Sequence, residues 1–168
     1  MKRALTLTIL LAALTLLLAP AVAQAAATPT LTEKQVVSLI NKERAKRGLA
    51  PVRFQANLIV AARGHAREMA RRNVLTHTSA NGAGVGSRLV RYGYTRYGYR
   101  YWSVGENISR ARTTSLYATP SGAVYQWMRS STHRAVILRS GFRNVGVGIA
   151  KSSSGVRYYT LDMGRRIR

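Results

Sequence analysis

Apolar residues along the chain follow two rhythms. Val36, Leu39 and Ile40 recur at helical spacing behind Thr32 and Gln35, a capping-box pair, and predict a first helix ending near Arg47 and Gly48. Leu58, Ala61, Ala62, His65 and Met69 form the stripe of a second helix, with Asn57 as its N-cap and a stop near Asn73. His65, on that apolar stripe, reads as a packed, hydrogen-bonded core histidine. A short helix carrying Arg88 and Leu89 is expected within residues 83–94. Residues 120–129 predict another, with Ala123, Val124, Trp127 and Met128 facing inward. Ser131 or Thr132 then caps a short helix over residues 133–139, closed by Gly141.

Elsewhere the period is two. Trp102, Val104, Glu106 and Ile108 share one face of a strand. Val145, Val147 and Ile149 alternate with Gly146 and Gly148, residues 152–155 make a turn, and residues 156–163 return as the second strand of a hairpin. The bare glycine face admits close approach of a helix or neighbouring strand. Interspersed helices and a terminal antiparallel hairpin predict a layered α+β domain. Residues 92–102 alternate arginine and tyrosine around two glycines, which reads as a twisted hairpin with cross-strand tyrosine pairs. The competing reading makes Arg96, Tyr97, Tyr99 and Arg100 an anion-binding surface that stacks on rings while pairing phosphates.

The N-terminus changes where this domain is expected to work. Lys2 and Arg3, an apolar run over residues 5–18 and the small residues Ala23 and Ala25 predict a secretory signal over residues 1–25. Residues 26–31 then form a short leader, 32–164 the domain and 165–168 a basic tail, with no membrane span once the signal is removed. The expected location is extracellular or in the cell envelope. No cysteine is present, so packing alone must stabilise an exported fold. Loss of Lys2 and Arg3 lowers the formal charge from +22 to +20, which favours lipid headgroups, acidic wall polymers, polysaccharides or nucleic acid. Export argues against nucleic acid as the physiological partner. The basic residues are dispersed rather than blocked, so a generally basic, solvated surface accounts for much of the charge.

Against five acidic residues and three histidines, Glu106 stands out, because a carboxylate on an apolar strand face needs a cation, an imidazole or N–H donors. His77 lies in Thr76-His77-Thr78-Ser79, Glu106 in Val104-Gly105-Glu106-Asn107-Ile108, and His133 in the run A-V-x-x-W-M-x-S-x-x-H-R-x-x-I-L over residues 123–138. With F-R-N-V-G-V-G-I-A over residues 142–150 and Y-Y-T-L-D-M-G over residues 158–164, this ordered set resembles the CAP superfamily of cysteine-rich secretory, antigen and pathogenesis-related proteins, in its bacterial secreted form. The resemblance implies a three-layer α-β-α sandwich with a mainly antiparallel central sheet. It also implies a cleft lined by His77, Glu106, Ser130 and His133, Ser130 standing where animal and plant members carry a second glutamate.

Three readings of that cleft stay open. One is a structural hydrogen-bond network. Another is a ligand or metal site, with zinc as the metal and His77, Glu106 and His133 as its ligands. A third is a hydrolytic centre with Glu106 and His133 as catalytic candidates. His133 is expected in the first turn of a helix, where the dipole disfavours imidazolium. The expected function is a secreted, non-enzymatic binding module for an anionic envelope or extracellular ligand (lipid, wall polymer or glycan). A metal-assisted, protease-like hydrolase is the alternative.

Overall fold

Thr30, rather than Thr32, opens the first helix of the computed structural model, which describes residues 27–168. The expected signal segment lies outside the described residues. In α1 (Leu31–Ala45) the Thr30 hydroxyl accepts from the Glu33 N–H at 3.3 Å, and the Glu33 carboxylate accepts from the Thr30 N–H at 2.7 Å. Glu33 outcompetes Gln35 for the capping role because it also binds Arg63 of the second helix, 2.6 Å away. Near the end of α1, buried Arg44 donates to the carbonyls of Ala50, Ile137, Arg139 and Phe142, so backbone dipoles and not a carboxylate receive its charge.

After the two-residue strand β1 (Arg53–Phe54), α2 (Ala56–Arg72) is capped by Gln55, whose side chain accepts from the Leu58 N–H at 3.0 Å. Asn57, expected as the cap, sits one step inside the helix and donates to the Tyr92 carbonyl at 2.8 Å. The helix stops at Asn73 in the left-handed region, φ 54°, as its sequence predicts. There follow α3 (Val85–Arg91), β2 (Tyr101–Arg112), a 3₁₀ turn (Leu116–Ala118), α4 (Pro120–Arg129), α5 (Ser131–Ile137), β3 (Asn144–Lys151) and β4 (Val156–Ile167). The α5 helix begins two residues before the expected position, with Ser130 as its cap, and ends before Gly141. The β4 strand runs on to Ile167, so Arg165 and Arg166 belong to the sheet.

Residues 92–100 do not form the expected hairpin. Gly93 (φ 85°) and Gly98 (φ 78°) reverse the chain, Tyr94 turns into the core, and Trp102 holds the Tyr94 carbonyl at 3.1 Å. The β2 strand takes β4 as its partner instead, Tyr101 opposite Ile167 and Arg112 opposite Val156.

The strands are ordered β1-β3-β4-β2. Pairing is antiparallel except for the short parallel contact of β1 with β3, so the sheet is mixed. One face carries Val145, Val147, Tyr159, Leu161 and Met163 and packs against Val36 and Ile40 of α1, Trp127 of α4 and Ile137 of α5. The other face lies under α2, where Met69 and Ala70 meet Ile108 and Tyr158. Helices thus cover both faces, giving the three layers of an α-β-α sandwich.

Gly146 and Gly148 let the α2 backbone itself rest on β3. A Cβ at Gly148 would lie 2.1 Å from the Ala62 carbonyl oxygen, and one at Gly146 2.1 Å from the Leu58 carbonyl carbon. Backbone on both sides leaves nothing that can rotate away. Gly148→Ala is therefore expected to destabilise by about 3 kcal/mol or more, whereas Gly141→Ala, with open space around it, should stay within about 0.5 kcal/mol of the parent. Urea denaturation of the two variants checks this.

Candidate functional site

Because side chains alternate along β2, Glu106 points to the α2 side of the sheet and lies opposite Asp162 of β4. Four groups converge on that spot. Arg88 of α3 donates through Nη2 to Glu106 Oε2 and through Nη1 to the His77 carbonyl and Ser79 Oγ, each at 3.1 Å. His77, on the loop after α2, places Nδ1 2.8 Å from Glu106 Oε1. His65 of α2 places Nε2 2.8 Å from the Thr76 carbonyl and 4.0 Å from Glu106 Oε2. The side chains of Glu106, His65 and Arg88 are almost wholly buried, while that of His77 is 55% exposed.

These contacts fix the imidazoles. A carbonyl only accepts, so His65 carries its proton on Nε2. Burial holds the His65 pKa below the usual imidazole range despite the pull of Glu106. His77 Nδ1–H donates to the carboxylate, which leaves its exposed Nε2 as an acceptor when the ring is neutral. His133, at the third position of α5, also has a lowered pKa, from burial first and then from repulsion by His77. The expectation of a neutral imidazole rests on the helix dipole, whereas the causes here are burial and His77. Asn107, on the opposite face of β2 from Glu106, donates to the His133 carbonyl at 2.8 Å and moors the start of α5 to the strand.

Of the residues named from sequence, His77 and Glu106 are hydrogen-bonded and His133 lies within electrostatic reach of His77. Ser130 stands apart. Its hydroxyl is 3.0 Å from that of Thr132, and no hydrogen bond joins it to the other three. Arg96, Tyr97, Tyr99 and Arg100 lie in the turns before β2, away from this network. A three-ligand zinc site does not fit the arrangement. Both Glu106 oxygens are committed, one of them to a guanidinium that would repel a dication, and no group of three or more His, Cys, Asp or Glu is placed to hold a metal among the described residues.

Arg88 and Asp162 were not evident as site residues from sequence. Asp162 could have been found by the argument that found Glu106, since it is an acid between Leu161 and Met163 in an apolar strand. It is fully buried, and neither oxygen has a hydrogen-bond partner. Burial and then the neighbouring Glu106 charge raise its pKa well above the usual range, with Arg88 only partly opposing them. A protonated Asp162 beside an ionised Glu106 satisfies both groups.

Two outcomes follow. Glu106→Gln removes the carboxylate hydrogen-bonded to buried Arg88 and should cost about 3–5 kcal/mol. Asp162 has a raised pKa in the folded state, so it binds its proton more tightly there than in the unfolded chain. Its contribution to stability is complete at low pH and falls as pH rises from about 4 toward its folded value. Asp162→Asn should therefore be more stable, relative to the parent, at about pH 8 than at about pH 4. Urea denaturation at both values checks the sign.

The chain matches the CAP family, described as the cysteine-rich secretory protein family, over residues 37–163. It is 34% identical over 122 residues to the uncharacterized protein YkwD of Bacillus subtilis, covering 73% of this chain and 44% of that one. It is 30% identical over 137 residues to the uncharacterized membrane protein YlbC of the same organism, covering 82% of this chain and 35% of that one. The chain thus spans less than half the length of these curated relatives. An extracellular Bacillus anthracis protein containing an SCP domain superposes with a TM-score of 0.66 at 25% identity, over 80% of this chain and 40% of that one. Similar structures thus include an extracellular bacterial protein, and no described helix is long and apolar enough to cross a membrane. With the family matched over residues 37–163, which take in β1, β2, β3 and most of β4, and the motifs around His77, Glu106 and His133 in place, the chain belongs to the CAP family, in a form without a single cysteine.

Proposed function

We propose that the chain acts outside the cell as a binding module for an anionic envelope component: a lipid headgroup, wall polymer or acidic glycan. The observation that carries this reading is a cluster of arginines and tyrosines at one end of the sheet. Arg166 lies 4.3 Å from the Tyr94 ring centroid and 4.6 Å from that of Tyr99, and Arg168 lies 5.8 Å from Tyr99. Beside them the turns carry Arg96, Arg100 and Tyr97, the last 89% exposed. A guanidinium laid on an aromatic face is ordered without losing its N–H donors, so it is prepared for phosphate or carboxylate oxygens. The scarcity of acids strengthens the case, since most basic side chains have no carboxylate to pair with. His77 and His133 would form a second contact region along the β2 edge, with Glu106 buried behind His77 and Ser130 apart from them.

A hydrolytic role is the second reading, favoured by the Glu106–His77 hydrogen bond. The carboxylate accepts from Nδ1 and orients the ring, leaving Nε2 as a general base. In this form the reaction uses no metal, in keeping with the poor fit of the zinc set.

Co-sedimentation with phosphatidylglycerol vesicles and with isolated wall polymer tests the first reading. Binding should weaken steeply as salt rises and fall about tenfold in Tyr97→Ala/Arg100→Ala. Equal binding to phosphatidylcholine vesicles, or indifference to those substitutions, overturns it. Turnover of a peptide, ester or glycan substrate that disappears in His77→Ala establishes the second.

A further inference from the structure

Behind the Glu106 network, between α2 and α3, lies a pocket of about 170 Å³ into which neither His77 nor His133 reaches. Its size is below the roughly 300–1,000 Å³ of sites for drug-sized molecules, and suits one small group with its waters. Arg71, Arg88 and Arg91 line it, together with Ser79 and Asn81. Tyr92 closes one side, its hydroxyl so near Gly64 that a Cβ there would come within 2.5 Å.

Apart from the lone pair of His65 Nδ1 and one oxygen of Glu68, the polar groups left uncommitted around this pocket are donors. Arg71 and Arg91 have no ion-pair or hydrogen-bond partner among the described residues. Arg88, buried, has an Nε–H without a partner. Ser79 Oγ accepts from Arg88 and Asn81 Oδ1 accepts from the Ala83 N–H, which leaves a hydroxyl and an amide NH₂ to donate. The one carboxylate in the lining, Glu68, is held by Arg72 at 3.1 Å and by the Ala80 N–H. Arg71 and Arg91 each occupy the last turn of a helix, where cations are favoured. That preference explains the residue type and not the convergence of both on one pocket.

We propose that this pocket is a binding site for a phosphate group, free or as a monoester. Five donor-bearing residues approach from α2, α3 and the intervening loop, and donors from several directions match a tetrahedral, doubly charged oxyanion better than a planar carboxylate. The site is separate from the arginine–tyrosine surface and does not depend on it. Arg88 joins it to the network, because the side chain that donates into the pocket also holds Glu106 and the His77 carbonyl. An anion there would draw on the same guanidinium that orients the Glu106–His77 pair.

Calorimetric titration of the protein with inorganic phosphate, and in parallel with glycerol 3-phosphate, tests the site. One-to-one saturable binding is expected, weakened at least about tenfold in Arg71→Gln/Arg91→Gln. The control, Arg53→Gln/Arg112→Gln, removes the same charge from other exposed positions and should bind as the parent does. Binding of both ligands identifies an esterified phosphate as acceptable, and binding of inorganic phosphate alone restricts the site to the free ion. Failure to saturate, or equal weakening in both double variants, overturns the proposal by reducing it to diffuse charge. Vesicle binding retained in Arg71→Gln/Arg91→Gln keeps this result independent of the surface reading.

Discussion

A guanidinium and a carboxylate withdrawn together from water hold this molecule's chemistry in place. Neither Arg88 nor Glu106 tolerates its position alone, and the hydrogen bonds around them extend to three other parts of the chain. Arg88 fixes the His77 loop by its carbonyl, Glu106 fixes the His77 ring, and burial beside Glu106 pushes the Asp162 pKa up, away from a third charge. The close seating of α2 on β3 completes the enclosure, since without side chains at Gly146 and Gly148 the helix backbone reaches the sheet and carries His65 to within 4.0 Å of Glu106. Packing geometry and electrostatics are here one constraint.

The same constraint accounts for the character of the site. Glu106 has no free oxygen for a metal or a substrate proton, so its influence passes through the ring it orients. His77 is the exposed member and His133 its neutral neighbour, two imidazoles at the margin of the sheet and backed by a buried anion.

Much of this was legible in the sequence, for reasons that differ by element. The α2 stripe, the stop at Asn73 and the glycine alternation in β3 are local patterns, and local physics realised them. The lone acid in β2 announced a buried site because burial of a charge demands a partner. The partner was less legible: Arg88 is one of many arginines, and only the placement of α3 against β2 singles it out. Asp162 carried the same signal as Glu106, an acid set in an apolar strand. The tyrosine-rich segment misled because its alternation is that of a hairpin, while the two glycines fold it into turns and leave β2 to pair with β4. The helix caps shifted by one or two residues, where Glu33 gains from Arg63 an interaction that no local window contains.

Arg44 shows how a chain short of acids manages a buried cation: it surrounds the charge with four backbone carbonyls that no proton can neutralise. Acid unfolding works chiefly by protonating carboxylates that native contacts keep ionised. With five acidic residues against 27 basic ones, this chain offers few such contacts. The junction between α1 and the loop after α5 is not one of them. That seam has no carboxylate to protonate, so its grip on the buried charge is the same in sour surroundings as in neutral ones.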